Sequence, residues 1–148
     1  MTGEGNEEMI DGDTRDRIEI HDLFNRYADA VAGHQWELLD EVFTEDVTGT
    51  WRGSPEIEGR AALVRRIRDV IERTSETHLL GNYTATINGD AAAASVRVRV
   101  YLQCSAAPGR LSQKILGSFR AKLVRTGEGW RFRHLGMGPS AIVKLGQV

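Results

Sequence analysis

The stretch "THLLGNYTATINGDAAAASVRVRVYL", residues 77–102, contains the most regular pattern in the chain. Apolar and polar residues alternate strictly from Val96 to Leu102, and a period of two is typical of a strand with one buried face. The Asn88-Gly89-Asp90 segment before it is a hairpin turn signal. This stretch therefore predicts two long antiparallel strands joined by a tight turn.

Two more strands are predicted downstream, at "LSQKILGSFRAKLVRT", residues 111–126, and "WRFRHLGM", residues 130–137. A "GEG" turn separates them. In the last strand Trp130 and Phe132 alternate with arginines, which predicts that His134 shares their inward face.

The upstream half has the helical period instead. Residues 13–33 place apolar side chains at three- and four-residue spacing, and Asp13 or Thr14 can cap the helix start. A short second helix is predicted over residues 35–43, and a third over residues 59–75. One short strand, residues 46–53, lies between them.

Helices followed by an antiparallel meander predict an α+β fold. We expect a cone-shaped, curved antiparallel sheet wrapped around the long N-terminal helix, with three helices in total. Residues 1–12 are acidic and glycine-rich and are interpreted as a flexible leader, and residues 13–148 as a single domain.

Composition excludes several classes of function. The net charge of −2 suggests neither nucleic acid nor a membrane surface as partner, and no apolar run is long enough to span a bilayer. A single cysteine, Cys104, cannot form an intramolecular disulfide, which indicates a reducing cytoplasm. Phosphate-loop, dinucleotide and nucleophile-elbow motifs are absent, so we expect no cofactor. No histidine pair has metal-ligand spacing, so we expect no metal.

Four segments together resemble a known family. These are "IHDLFNRYADAVAGHQWELLDEVFTEDV", "EGRAALVRRI", "THLLGNYTATINGDAAAASVRVRVYL" and "GWRF". In their order and spacing they are similar to the SnoaL-like branch of the nuclear transport factor 2-like superfamily, over residues 14–136. The resemblance implies a cone with a deep apolar pocket, and a homodimer formed through the sheet face. Its members include polyketide cyclases, scytalone-dehydratase-like enzymes, dehydrochlorinases, steroid isomerases and non-catalytic proteins.

The resemblance also implies a role for His78. In dehydratase-like members a histidine at this place points into the cone and transfers protons, and a carboxylate on the first helix orients it. Imidazole titrates near pH ~6.5 and can both take and return a proton. The sequence departs from that pattern, because Ala32 occupies the position of the expected aspartate. Asp29, one turn earlier, is the candidate replacement, and it is alternatively a plain surface carboxylate.

Four other residues are candidates for binding a small hydrophobic substrate: Tyr27, Trp51, Tyr101 and Arg120. An inward Arg120 would favour a carboxylate or enolate. Each also has a structural interpretation. Trp51 and Tyr101 can be core or dimer contacts, Arg120 can belong to a solvated or dimer-facing row, and the ring of Tyr27 belongs to the apolar stripe of its helix.

Three functions remain open. The first is a cofactor-independent lyase, cyclase or isomerase in which His78 moves protons on a carbonyl-containing or polyketide-like substrate. The second is a non-catalytic ligand-binding or assembly module. The third is epoxide hydrolysis, which requires two buried acids flanking an arginine such as Arg97, Arg99 or Arg120.

Overall fold

The computed structural model describes residues 11–104 and 110–145. Most of the predicted leader, residues 1–10, lies outside the described residues. The predicted α+β class is confirmed, with one curved and unclosed six-stranded sheet and three helices. The helices are α1 (Gly12–Ala32), a short 3-10 helix (Trp36–Glu41) and α2 (Arg60–Ile71). The strands are β1 (Phe43–Trp51), β2 (Ile57–Glu58), β3 (Thr74–Asn88), β4 (Ala91–Cys104), β5 (Leu111–Thr126) and β6 (Gly129–Lys144).

Helix α1 begins before the predicted caps. Asp11 is the N-cap, and its carboxylate accepts a hydrogen bond of 2.8 Å from the backbone N–H of Thr14. At the other end Gly33 donates its N–H to the carbonyl of Asp29, at 2.9 Å. The apolar stripe faces the sheet as predicted, because Phe24 and Tyr27 are fully buried. None of the helices among the described residues has the length and apolar character needed to cross a membrane.

The strand order in the sheet is β2-β1-β6-β5-β4-β3. Strands β3 to β6 form the predicted antiparallel meander, and the turn at Gly89 has a positive φ of 62°. Strand β1 pairs with β6 in parallel, so the sheet is mixed at this one junction. The two-residue strand β2 forms where only a turn was predicted, by pairing antiparallel with β1.

The inner face of the sheet holds the core. The alternating valines of β4 are buried, whereas Arg97 and Arg99 between them are exposed on the outer face. The inner face of β5 continues the same layer through Phe119, which lies opposite Val96. The period of two therefore predicted the orientation of β4 correctly.

A β-bulge changes the alternation on β6. Lys122 pairs with His134 and Leu123 pairs with Phe132, which leaves Arg133 as the extra residue. Phe132 is buried, but His134 is only half-buried and takes the outer face with Lys122. The prediction that His134 shares the face of Phe132 is therefore wrong, because one inserted residue reverses every later side chain.

Asp16, near the start of α1, fastens this helix to the sheet. Its carboxylate accepts two hydrogen bonds of 2.7 Å from Arg125 and one of 3.0 Å from the indole N–H of Trp130. The hydrogen bonds from Arg125 lower the pKa of Asp16 and outweigh its burial. Helix α1 is thereby tied to both β5 and β6.

Candidate functional site

Strand β3 presents two polar side chains, Glu76 and His78, to the interior. Glu76, His78 and Leu80 lie opposite the buried residues Leu102, Val100 and Val98 of β4, and so they share the inner face. The side chain of His78 is 2% exposed and that of Glu76 is fully buried. The predicted inward orientation of His78 agrees with this placement.

The carboxylate partner of His78 is Glu76, on the same strand. Nε2 of His78 lies 2.9 Å from Oε1 of Glu76. Two guanidinium nitrogens of Arg52, just after β1, donate to the two oxygens of Glu76 at 2.6 and 2.9 Å. The hydroxyl of Thr74 donates to Oε2 at 3.3 Å. One buried carboxylate therefore accepts from a histidine, an arginine and a threonine.

Glu76 is ionised in this environment. Burial alone would raise its pKa, but the hydrogen bonds from His78 and Arg52, with the charge of Arg52, lower the pKa of Glu76 to about 2. An ionised carboxylate can only accept, so Nε2 of His78 is the nitrogen that carries hydrogen. In the neutral imidazole the basic lone pair is then on Nδ1. That atom is buried and has no hydrogen-bond partner within residues 11–104 and 110–145.

Arg52 is held in an unusual conformation. Its φ of 49° lies in the left-handed region, which a residue with a side chain seldom adopts without support. Its backbone N–H donates to the carbonyl of Met137 at 3.1 Å, and its guanidinium carbon lies 4.4 Å from the centre of the Trp51 ring. Backbone pairing, ring contact and the bond to Glu76 together fix this arginine.

Tyr27 and Trp51 form a second buried pair beside Arg52. The indole N–H of Trp51 donates to the hydroxyl oxygen of Tyr27 at 2.9 Å, and both side chains are buried. Burial raises the pKa of Tyr27 well above its usual range, so the phenol keeps its hydrogen. Because the oxygen already accepts from Trp51, that hydrogen is available to another acceptor. The phenol lies within electrostatic range of both Arg52 and Glu76.

Asp29 does not join this group. It is exposed on α1, in a shallow depression beside Arg26 and Glu41. The expectation that it could orient His78 is corrected for a geometric reason. Residues two apart on a helix differ by about 200° in direction, so Asp29 points away from the buried face that carries Tyr27. The carboxylate in contact with His78 is that of Glu76.

Tyr101 and Arg120 also lie away from the dyad. Tyr101 alternates with the buried Val100 and Leu102, and Arg120 with the buried Phe119, so both face outward. Of the predicted residues, His78 is linked to the Tyr27–Trp51 pair through two residues that the sequence does not predict. Glu76 contacts His78, and Arg52 contacts both Glu76 and the ring of Trp51.

Of the cavities among the described residues, five were compared, and none of these five is lined by His78, Glu76, Arg52 or Tyr27. The largest, about 520 Å³, is lined by residues such as Lys122 and Arg133. The deep apolar pocket that the resemblance implies is therefore not among these five. In the same part of the chain, no three histidine, cysteine, aspartate or glutamate residues come together as potential metal ligands.

A curved, unclosed sheet packed against one long helix, with a histidine and a carboxylate side by side on its inner face, places the chain among the α+β proteins. The particular family is the SnoaL-like domain family, to which this chain belongs: its family model matches residues 12–136. The predicted resemblance is thus confirmed.

Individual relatives are consistent with this family assignment. The chain is 31% identical over 119 residues to the uncharacterised protein Rv2910c of Mycobacterium tuberculosis, covering 78% of this chain and 80% of that protein. It superposes on the "Putative Scytalone Dehydratase" of Novosphingobium aromaticivorans with a TM-score of 0.80 at 13% identity, covering 92% and 91% of the two chains. For a type 2 hexachlorocyclohexane dehydrochlorinase, LinA, the TM-score is 0.78 at 18% identity, with 89% and 90% covered. At 13% and 18% identity, the likeness of this chain to these two structures shows a shared fold.

Proposed function

We propose that the protein is a cofactor-independent lyase that eliminates water from a small hydrophobic substrate with a carbonyl group, with His78 as the base. One observation carries the proposal: Nδ1 of His78 is buried without a partner while Glu76 holds Nε2. A buried nitrogen lone pair that no protein group uses is suited to accept a proton from a bound molecule.

The chemistry follows from the arrangement. Nδ1 takes the proton from the carbon next to the carbonyl, and the O–H of Tyr27 donates to the carbonyl oxygen as negative charge develops there. Glu76 stabilises the imidazolium that forms. The C–O bond to the leaving hydroxyl then breaks, a C=C bond forms, and Nδ1 returns its proton so that water leaves. No redox step or external reactant is required.

Arg52 has a positioning role in this scheme. Its two bonds to Glu76 fix the carboxylate, and its charge cancels that of Glu76 before the reaction. Arg52, Glu76 and His78 together are thus close to neutral before the reaction. They gain one positive charge when His78 takes the proton. The names of two relatives with the same fold, a dehydratase and a dehydrochlorinase, both describe eliminations and support the reaction class. The family resemblance favours an aromatic or polyketide-like substrate for this reaction.

The test uses a substrate whose product is easily seen. A β-hydroxytetralone loses water to give a naphthol, which absorbs and fluoresces differently. We expect turnover by the wild type, and a loss of roughly 1,000-fold or more in His78→Ala if proton transfer by His78 is essential. Circular dichroism checks that the variant folds, and His21→Ala is the matched control because His21 is exposed. Turnover that His78→Ala leaves unchanged would reject the assignment.

A second candidate is a non-catalytic binding or assembly module. Two observations favour it: none of the five outlined cavities reaches the dyad, and Ala32 replaces the expected aspartate. In that case a ligand would be recovered from the purified protein in stoichiometric amount and chemically unchanged. Epoxide hydrolysis is not proposed, because Arg97, Arg99 and Arg120 are exposed on the outer face.

The homodimer through the sheet face stays a proposal. Analytical ultracentrifugation of the wild type tests it, together with a variant that adds charge to the outer face, such as Ser118→Glu. A dimer that Ser118→Glu does not weaken would place the interface elsewhere.

A further inference from the structure

Buried polar atoms without a partner are concentrated around Glu76. Four such side-chain atoms occur in the part of the chain that the structure describes, and two of them belong to residues that bind Glu76: Nδ1 of His78 and Nε of Arg52. The proposed function uses Nδ1 of His78 but leaves Nε of Arg52 without a role. A buried N–H that no protein group accepts is suited to donate to a bound molecule.

The way in which Arg52 holds Glu76 keeps this N–H free. A guanidinium has its three nitrogens in one plane, and Arg52 turns the two terminal ones toward the two carboxylate oxygens, at 2.6 and 2.9 Å. Nε is the third nitrogen of that plane, so its hydrogen does not reach the carboxylate in this arrangement. The ion pair with Glu76 therefore leaves one charged donor for another acceptor.

Arg52, His78 and Tyr27 lie close enough together for one small ligand to contact all three. Oε1 of Glu76 lies 2.6 Å from the Arg52 guanidinium and 2.9 Å from Nε2 of His78, so these two groups are less than about 6 Å apart. The guanidinium carbon also lies 4.4 Å from the centre of the Trp51 ring, whose N–H donates to the hydroxyl oxygen of Tyr27. One acceptor, Nδ1, and two donors, Nε–H and the phenol O–H, thus belong to one buried cluster.

The charges of this cluster are matched before a ligand binds. The side chains of Arg52 and Glu76 carry opposite charges and are 11% and 0% exposed. A charged substrate would bring an uncompensated charge into this interior, which costs more than the binding of a neutral molecule. The substrate that fits is therefore uncharged, with two oxygen atoms for the two donors and an acidic C–H for Nδ1.

We propose that Nε of Arg52 donates a hydrogen bond to the leaving hydroxyl of the substrate, which is an uncharged β-hydroxyketone. This inference rests on the proposed function, in which Tyr27 contacts the carbonyl oxygen and His78 takes the carbon-bound proton. As the C–O bond breaks, its electron pair goes to the oxygen, and a charged donor stabilises the developing negative charge more than a neutral donor does. Arg52 keeps its hydrogen, because the proton that completes the water molecule comes from Nδ1.

Arg52→Lys tests this role, because lysine keeps the positive charge beside Glu76 but removes Nε–H. Two reactions are compared: elimination from β-hydroxytetralone, and exchange of the α-hydrogens of 1-tetralone in heavy water, followed by NMR. Exchange needs the base and the carbonyl contact but has no leaving group. Because hydroxide is a poor leaving group, we expect Arg52→Lys to lower elimination roughly 100-fold more than it lowers exchange. Tyr27→Phe should lower both rates by a similar factor.

The outcomes separate this role from the proposed function. Equal losses of elimination and exchange in Arg52→Lys would overturn the role, because Arg52 would then act only through Glu76. A wild type that catalyses neither reaction would reject the proposed function, and the role of Arg52 with it. Arg68→Lys is the matched control: it makes the same substitution in an exposed pair with Glu72 and should change neither rate.

A binding measurement tests the same contact with Arg52 intact. His78→Ala lacks the base and does not consume β-hydroxytetralone, so calorimetry can compare its affinity with that of 1-tetralone, which lacks only the hydroxyl. We expect β-hydroxytetralone to bind roughly tenfold more tightly. Equal affinities would overturn the contact with the hydroxyl and leave proton transfer by His78 in place.

Discussion

Nε2 of His78 lies 2.9 Å from Oε1 of Glu76, which is only two residues earlier on the same strand. Because alternate residues of a strand share a face, the two side chains emerge side by side into the interior. The dyad therefore needs no contribution from α1. This explains how the interior can hold an oriented histidine although Ala32 has no carboxylate.

We expect Glu76→Gln to destabilise the protein strongly. The substitution keeps the shape but leaves the guanidinium of Arg52, 11% exposed, without its counter-charge. Removing one partner of a buried ion pair costs about 3–5 kcal/mol. Urea unfolding followed by fluorescence measures this free energy of unfolding. Glu72→Gln is the control: it breaks an exposed pair with Arg68 and should cost no more than about 0.5 kcal/mol. Similar losses in both variants would contradict the burial argument.

Acid should remove the contribution of Glu76 to the free energy of unfolding within a definite pH range. Its pKa is lowered from 4.5 to about 2 in the folded protein, so the stabilisation is present above pH 4.5 and is lost as the pH falls toward 2. The loss is roughly 3 kcal/mol, because each tenfold change in the proton affinity of the carboxylate corresponds to about 1.4 kcal/mol. The measurement is the free energy of unfolding against pH, compared with Glu76→Gln. Parallel curves for the two proteins would contradict the assignment.

Tyr27→Phe separates the contribution of the hydroxyl from that of the aromatic ring. The ring packs edge-to-face on Phe119, at 5.3 Å between centroids, and Phe keeps that contact. If the hydroxyl stabilises a developing oxyanion, kcat should fall roughly 100-fold while KM changes little. The free energy of unfolding should fall by about 1–3 kcal/mol, because the buried N–H of Trp51 loses its acceptor. Tyr101→Phe, on the outer face, should alter neither quantity. An unchanged kcat in Tyr27→Phe would remove the hydroxyl from the mechanism.

Asp16→Asn should loosen the attachment of α1 to β5 and β6 without contacting the dyad. It weakens the acceptors of Arg125 and of the Trp130 indole, and we expect a loss of about 2–3 kcal/mol. Asp90→Asn is the control, since Asp90 binds the same arginine but its side chain is 82% exposed. Thermal unfolding compares the two. Turnover on the β-hydroxytetralone at a permissive temperature should be retained in both variants.

Much of the fold could be predicted because its signals are local. The switch from helical spacing to strict alternation separates α1 and α2 from the meander, and Gly89 marks the hairpin. Strand β2 could not be predicted, because two residues carry no periodicity. The outward turn of His134 depends on one bulged residue, which the alternation of the sequence conceals.

The sequence predicts His78 of the dyad but not Glu76. The helical pattern predicts that α2 continues through residue 75, which excludes Glu76 from the strand. The available signal was the Glu-x-His spacing, since continuing the period of two backwards from His78 places Glu76 on the same face. Arg52 had no local signal. Its contact with Glu76 joins two strand ends 24 residues apart, and only the curvature of the sheet brings them together.

The segregation of charge has a physical consequence for the whole molecule. All acidic residues but Glu128 fall within residues 1–90, and most of the described ones belong to the helices and β1, whereas the outer sheet is basic. A net charge of −2 therefore combines an excess of acidic residues in residues 1–90 with an excess of basic residues in residues 91–148, and such an uneven distribution gives the molecule a dipole moment. Near any charged surface the molecule experiences a torque that turns one face toward it. Its adsorption to ion exchangers should follow this orientation rather than its isoelectric point of 6.1.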